Sequence, residues 1–143
     1  MILDALIERL NNKFYLDQAD KYARKNTGCT KVHVGCVIVD PTTEKIVGIG
    51  ANTSNPNCKK KGVCHRVEVY GDNSKEHRLP SDCNAVHSEI SALICAGRSA
   101  KDCVAFVTRY PCEACARALA QAGIRRVVYG RTQEVSPLTK EIL

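Results

Sequence analysis

The sequence predicts an α/β fold, built as a three-layer α/β/α sandwich around a mixed central sheet. Two β-branched runs, VGCVIVD at 34–40 and KIVGIG at 45–50, flank the turn segment PTTE and are typical of an antiparallel hairpin. Further along the chain, two strand patterns alternate with two helix patterns, which is the order that parallel crossovers require. A hairpin followed by crossovers gives a sheet that is partly antiparallel and partly parallel.

The first half of the chain contains one helical region, the hairpin and a long polar segment. Residues 4–25 show helical apolar spacing, with a break predicted at Asn11 and Asn12. Residues 51–82 have almost no apolar periodicity and are rich in Asn, Lys, Gly and Ser. We therefore expect one long loop, which something functional or a metal ion usually holds in place.

The second half predicts a helix over 84–96, a buried strand over 103–108, a helix over 112–122 and a strand over 125–129. Asp82 or Asn84 is the expected N-cap of the first of these helices. Its predicted buried stripe consists of Val86, Ile90, Leu93 and Ile94. Three cysteines within apolar patterns are expected in the core: Cys36, Cys95 and Cys103.

Length and composition favour one soluble cytoplasmic domain over residues 1–143, with a cysteine-rich insertion at about 51–83. The N-terminus has acidic residues and no basic start, so it does not indicate a signal peptide, and no apolar run reaches the roughly 20 residues of a membrane span. Nine cysteines without secretion indicate metal binding or catalysis rather than disulfides. The net charge of +6 suits a nucleotide phosphate or a nucleic acid.

Two short motifs carry the chemistry: His87-Ser88-Glu89, and Pro111-Cys112-Glu113-Ala114-Cys115. A Cys-x-x-Cys pair alone fits a metal site, a redox pair or a chance spacing in a chain so rich in cysteine. The preceding proline and the separate His-x-Glu make a chance origin improbable and match the signature of zinc nucleobase deaminases. The pair is therefore interpreted as half of a metal site.

The residue types predict an open zinc site rather than a closed one. Cys112 and Cys115 lie three apart at a predicted helix start, so both sulfurs can reach one ion, and a helix N-terminus favours thiolates. With His87 they supply three ligands, which leaves the fourth tetrahedral position for water. Glu89 lies two residues from His87, which suits a proton carrier better than a fourth ligand.

The segments HSEISAL, FVTRYPCEACARALAQAGIRRVVYG and VHVGCVIVD resemble the cytidine deaminase-like superfamily, and most closely the deoxycytidylate (dCMP) deaminase family, from about Tyr22 to Gly130. The resemblance implies a homo-oligomeric zinc enzyme that converts dCMP to dUMP and ammonia, with Glu89 carrying the protons. It places Asn52 at the sugar and Thr108, Arg109 and Tyr110 beside the base. Asn52 is equally consistent with a turn residue, and Arg109 with either a phosphate contact or a surface position.

The resemblance also implies a second, structural zinc ion that holds the long loop. Its candidate ligands are a subset of Cys29, Cys58, Cys64 and Cys83, with His77 as the leading substitute. Family members continue beyond the 125–129 strand with a helix and a terminal strand, whereas only GRTQEVSPLTKEIL follows here. The final strand is therefore expected to be missing, either naturally or through truncation.

Two other functions remain open at this point. One is deamination of a base in tRNA or single-stranded nucleic acid, where the base must be unpaired in the pocket. The long loop argues against it, because resemblance to those enzymes implies a shorter connection before the histidine. The other is a non-catalytic zinc module that binds a partner, against which Glu89 argues because a structural site has no use for an acid there.

Overall fold

The computed structural model describes residues 2–27, 33–52 and 86–130. The helices are α1 (Ile2–Glu8), α2 (Asn12–Asn26), α3 (Ser88–Ala96) and α4 (Glu113–Gln121), and the strands are β1 (Gly35–Asp40), β2 (Lys45–Ala51), β3 (Val104–Val107) and β4 (Arg126–Tyr129). A 3-10 turn over Gly97–Ala100 follows α3. The predicted break between the first two helices is present: the Asn11 side chain accepts a hydrogen bond from the Phe14 N–H at 3.0 Å and caps α2.

The four described strands form one mixed sheet in the order β2-β1-β3-β4. β1 pairs antiparallel with both β2 and β3, and β3 pairs parallel with β4. The β1–β2 pair is the predicted hairpin, and the β3–α4–β4 segment is a parallel crossover. The mixed sheet of the prediction is therefore confirmed.

Helices cover both faces of the sheet, because the strands alternate their buried side chains. On one face Cys36 and Ile38 pack with residues of α3 and α4, including Ala92 and Leu119. On the other face Val37 and Val39 pack with residues of α1 and α2, including Ala19. This period of two along β1 is what places a core on each side. The three-layer α/β/α architecture is confirmed.

Helix α3 begins later than predicted and buries a different face. Its N-cap is His87, so the expected start at 84 is wrong, and residues 84 and 85 lie outside the described part of the chain. Val86 is 42% exposed and Ile94 is 75% exposed, so these two members of the predicted buried stripe are wrong, whereas Leu93 is partly buried against the core. The buried residues of the helix are Ser88, Glu89, Ala92 and Ala96.

Small residues face the sheet because two glycines of β2 let the helix backbone come close. A Cβ atom at Gly50 would lie 2.5 Å from the Ser88 carbonyl oxygen and 2.5 Å from the Ala92 nitrogen. A Cβ at Gly48 would lie 2.5 Å from the Ala92 carbonyl oxygen. This contact holds the first turn of α3 against the end of β2.

We expect Gly50→Ala to lower the free energy of unfolding by about 1–3 kcal/mol, because the new methyl group meets helix backbone that must shift. Urea unfolding measures the change. Lys45→Ala, at an exposed position of the same strand, is the control and should stay within about 0.5 kcal/mol of the wild type. A Gly50→Ala protein as stable as that control would contradict the close packing of α3 on β2.

The three cysteines that were predicted to lie in the core have different outcomes. Cys36 and Cys103 are buried as expected, but Cys95 is exposed, so its assignment to the core is wrong. It lies on α3 beside the exposed Ile94, away from the small residues that face the sheet. The predicted loop beyond Asn52 and the expected absence of a final strand both fall outside the described residues.

Candidate metal centre

Three potential metal ligands meet at the N-terminal ends of α3 and α4. His87 is the N-cap of α3 and Cys112 is the N-cap of α4, each in extended backbone conformation. Cys115 follows in the first turn of α4, and Pro111 precedes the helix, where its missing N–H costs no helical hydrogen bond. The Cys112 carbonyl accepts a hydrogen bond from the Ala116 N–H at 2.8 Å, which starts the helix at this point.

The distances among these side chains fit a zinc ion. His87 Nδ1 lies 3.5 Å from Cys112 Sγ and 3.3 Å from Cys115 Sγ, and the three ligand atoms lie within 4.8 Å of one another. A nitrogen and a sulfur bound to one tetrahedral zinc ion are about 3.5 Å apart, from the usual bond lengths and angle. In residues 2–27, 33–52 and 86–130 no fourth His, Cys, Asp or Glu joins the group. The site therefore fits an open, three-ligand centre.

The two thiols differ in acidity because they share a proton. The hydrogen bond with Cys115, followed by the one with His87, lowers the pKa of Cys112 to about 4. The same contact with Cys112, followed by burial, raises the pKa of the Cys115 thiol. The pair therefore releases its first proton more readily than an isolated thiol does. Binding of a divalent cation would displace the proton that the pair shares.

Glu89 is a buried carboxyl group beside the candidate ligands. Its exposed fraction is 4%, and the buried Ser88 hydroxyl donates a hydrogen bond to its Oε1 at 2.8 Å. Burial raises the pKa of Glu89, and the bond from Ser88 partly opposes this shift. A carboxyl group whose pKa moves toward neutrality is suited to accept and return a proton.

Asn52 and Thr108 lie at the sheet end where β2 and β3 finish and β1 begins. The Asn52 Oδ1 accepts from the Val34 N–H at 2.9 Å, and the Thr108 Oγ1 accepts from the Gly35 N–H at 3.1 Å. Each is 8% exposed. Glu89 lies near the same end of the sheet, because Gly50 of β2 packs against the carbonyl of the preceding residue, Ser88. Burial raises the pKa of the Cys36 thiol in β1, and the Glu89 carboxylate adds to that shift.

Arg109 and Tyr110 lie after β3 and are half-buried. The Tyr110 ring packs edge-on against Tyr129 with centroids 4.6 Å apart. Tyr110 also lines a cavity of about 350 Å³ together with residues of α4 and β4, among them Leu119 and Val127. None of the three candidate metal ligands lines that cavity, and neither does Glu89. The cavity lies beside β4 and is not the candidate centre.

Family-model comparison matches residues 10–131 to the cytidine and deoxycytidylate deaminase zinc-binding region. This match spans most of the chain and includes every residue of the centre described above. The chain belongs to the cytidine and deoxycytidylate deaminase family. The predicted resemblance is thereby confirmed. The match to a zinc-binding region, together with the cluster of His87, Cys112 and Cys115, suggests zinc as the metal.

Curated relatives of this deaminase-family chain include several named deoxycytidylate deaminase. That of Mycobacterium phage D29 is 32% identical over 113 residues, covering 75% of this chain and 84% of the relative. That of Schizosaccharomyces pombe is 28% identical over 137 residues, covering 92% of this chain and 40% of the relative. The T2 phage protein is 33% identical over 82 residues, covering 55% of this chain and 44% of its own length. The chain thus spans less than half the length of some of these relatives.

Solved structures of the deaminase fold also resemble this chain. The dCMP deaminase of cyanophage S-TIM5, solved with dCMP and dUMP, has a TM-score of 0.63 at 20% identity and covers 91% of this chain and 90% of that one. Acinetobacter baumannii RibD has a TM-score of 0.62 at 23% identity, covering 92% of this chain and 32% of that one. At these identities the likeness supports the fold. Among the described residues, no helix combines the length and apolar character needed to cross a membrane.

The structure brings some predicted site residues together and leaves others outside the described chain. His87, Cys112 and Cys115 form the cluster, and Glu89 is buried next to it. The candidates for a second metal lie outside the described residues: Cys29, Cys58, Cys64, Cys83 and His77.

Sequence reasoning missed Ser88 and Thr27, which contact Glu89 and Asn52 respectively. Ser88 lies inside the motif, where a hydroxyl next to the acid was a usable signal. Thr27 precedes Asn52 by 25 residues, and no local pattern links the two.

Proposed function

We propose that this protein is a zinc-dependent hydrolase that removes the exocyclic amine of a cytosine nucleotide, and that its substrate is dCMP, which yields dUMP and ammonia. The observation that carries the proposal is the buried Glu89 beside the three-ligand cluster of His87, Cys112 and Cys115. The relatives named deoxycytidylate deaminase support the choice of nucleotide, in particular the phage D29 protein, of which the chain covers 84%.

In the proposed mechanism, His87, Cys112 and Cys115 hold the metal. Zinc bound there would lower the pKa of a water molecule and so supply a nucleophile at neutral pH. Glu89 would accept one proton from the attacking water and deliver it to N3 of the pyrimidine as the C4–O bond forms. Glu89 would then move the proton of the new C4 hydroxyl to N4, so that ammonia leaves as the C4–N4 bond breaks and the C4 carbonyl forms, and one water is consumed for each ammonia released.

Asn52, Thr108, Arg109 and Tyr110 are the proposed substrate-binding residues. We assign Asn52 to the sugar, Thr108 and Tyr110 to the base and Arg109 to the phosphate. The hydrogen bonds of Asn52 and Thr108 to the start of β1 support this assignment, because they hold both side chains at the sheet end against which the start of α3 packs. Holding these groups before the substrate arrives lowers the entropy cost of binding.

Ammonia release from a panel of substrates tests the proposal. The zinc-loaded protein is assayed with cytidine, deoxycytidine, dCMP, dCTP and an adenosine-bearing tRNA stem-loop. We expect the highest kcat/KM for dCMP among these substrates. Preference for the free nucleosides would contradict the choice of dCMP, preference for the stem-loop would favour a nucleic-acid deaminase, and no release from any substrate would favour a non-catalytic zinc module.

We also propose a second, structural zinc ion bound by a subset of Cys29, Cys58, Cys64 and Cys83, with His77 as the leading substitute. Four such ligands close a tetrahedral site. Elemental analysis of pure protein is expected to give two zinc ions per chain, falling to one in the Cys112→Ser/Cys115→Ser double variant. A wild-type content of one per chain would contradict the second ion.

The wider organisation of the protein forms part of the same proposal. We propose that residues 1–143 are one domain and that it assembles as a homo-oligomer in the cytoplasm. The exposed apolar side chains of Ile94 on α3 and of Val86, which precedes the helix, support association with another copy. The described cysteines outside the metal cluster, Cys36, Cys95 and Cys103, carry free thiols, which a reducing compartment maintains. Analytical ultracentrifugation tests the assembly. A monomer would contradict the proposed homo-oligomer.

A further inference from the structure

The Thr27 side chain bridges the end of α2 and the end of β2. Its hydroxyl donates to the Asn52 Oδ1 at 2.7 Å and lies 3.1 Å from the Asn52 backbone oxygen. Thr27 is also the C-cap residue of α2, and its backbone N–H donates to the Ala23 carbonyl at 2.9 Å. The bridge is made by the side chain and the cap by the backbone, so substitution of the side chain leaves the cap bond in place.

These contacts set the orientation of the Asn52 amide. Its Oδ1 accepts from two donors, the Thr27 hydroxyl and the Val34 N–H. The Val34 N–H can only donate, so an amide nitrogen in the same place would present a hydrogen to it, and this bond assigns the oxygen to this side. The amide NH2 group is consequently held on the opposite side of the side chain. The Asn52 backbone is fixed as well, because its N–H donates to the Val34 carbonyl at 3.0 Å.

The oriented amide lies at the end of the sheet that carries the candidate centre. Gly50, two residues before Asn52, packs against the Ser88 carbonyl at the start of α3. Thr108, the other proposed substrate residue at this end, bonds to Gly35 through both its hydroxyl and its backbone N–H. The Thr27 bridge therefore acts on a side chain next to the proposed chemistry and not on a remote surface.

We propose that Thr27 is a positioning residue for nucleotide binding. Its hydroxyl holds the Asn52 carboxamide so that the NH2 group is offered as a hydrogen-bond donor to an acceptor oxygen of the nucleotide sugar. Rotation of the amide by half a turn would offer an acceptor in its place. The Val34 N–H, which can only donate, disfavours that state, and the bond from the Thr27 hydroxyl anchors the side chain where the bond to Val34 forms. This inference rests on the proposed function. It adds a determinant of nucleotide binding at the C-terminal end of α2, outside the motifs that identify the family.

The test compares steady-state kinetics with dCMP for several variants. Thr27→Val removes the hydroxyl and keeps the shape, and it is expected to raise KM about 3- to 20-fold while kcat changes less than about 2-fold. Thr27→Ser keeps the hydroxyl and should remain within about 2-fold of the wild type in both constants. Thr27→Ala provides a second removal of the hydroxyl. Thr43→Val is the matched control, because the Thr43 hydroxyl serves the hairpin turn at the other end of the sheet.

A double variant separates positioning from general stability. In an Asn52→Ala background, Thr27→Val should have no further effect on KM, because the side chain that it orients is gone. Equal effects of Thr27→Val in both backgrounds, or an unchanged KM in an active Thr27→Val enzyme, would overturn the inference and leave the proposed function intact. A wild type that releases ammonia from no nucleotide would overturn both. Zinc content and thermal unfolding identify any variant that fails to fold. If Thr27→Val is such a variant, the kinetics of Thr27→Ala and of the double variant decide in its place.

Discussion

Replacing Glu89 with glutamine is expected to abolish ammonia release while leaving zinc content unchanged. Glutamine has the shape of the acid and can still accept the hydrogen bond from the Ser88 hydroxyl, which now reaches Oε1 at 2.8 Å. It cannot accept and return a proton at neutral pH. General acid–base catalysis contributes about 10²- to 10⁴-fold to a rate, so a loss of kcat of that size is expected.

Glu113→Gln is the matched control for this substitution. Glu113 lies in the first turn of α4, as Glu89 lies in the first turn of α3, but it is paired with Arg117 at 3.9 Å on the helix surface. The control should keep kcat within about 2-fold of the wild type, as surface substitutions usually do. Unchanged turnover in Glu89→Gln, or an equal loss in Glu113→Gln, would remove Glu89 from the mechanism.

Replacing Cys115 with serine is expected to remove the metal and the activity together. Cys115 is buried and lies 3.3 Å from His87 Nδ1, so its sulfur is central to the cluster. A serine hydroxyl does not ionise at neutral pH and is a poor ligand for zinc. Loss of an outer partner of a metal ligand commonly costs about 10- to 100-fold in affinity or activity, so loss of a ligand itself should cost at least about 100-fold.

Competition with a chromogenic chelator measures the zinc affinity of this variant, and ammonia release measures its activity. Cys95→Ser is the control, because Cys95 is an exposed thiol on α3 outside the cluster. It should bind zinc and react as the wild type does. A Cys115→Ser protein that retains wild-type zinc affinity at this site would contradict the ligand assignment, and one that retains activity after zinc removal would contradict metal-dependent catalysis.

Much of the fold follows from local patterns in the sequence. The β1 strand was predictable because a β-branched run is buried on both faces, with Cys36 and Ile38 on one side and Val37 and Val39 on the other. The hairpin and the crossover follow from turn residues and from alternation of strands and helices. The family followed from His87-Ser88-Glu89 and the Pro-Cys-x-x-Cys motif, because their spacing within each helix is a local property.

The features that the sequence did not predict depend on contacts between distant segments. The buried face of α3 is made of small residues because Gly48 and Gly50 admit the helix backbone, whereas hydrophobicity alone selected Val86 and Ile94. Choosing the inner face by apolar side chains alone therefore misplaced these two residues, although Leu93 does pack against the core. The bond from Thr27 to Asn52 likewise joins residues that only the fold brings together.

The most direct test of the central claim, hydrolytic deamination at this site, follows the oxygen atom that enters the product. Zinc-loaded wild type is incubated with dCMP in water labelled with heavy oxygen, and dUMP is analysed by mass spectrometry beside the Glu89→Gln variant. The proposed chemistry predicts one labelled oxygen in the pyrimidine of wild-type dUMP, ammonia in equal amount, and almost no product from the variant. Unlabelled dUMP, or labelled dUMP formed equally well by Glu89→Gln, would contradict it.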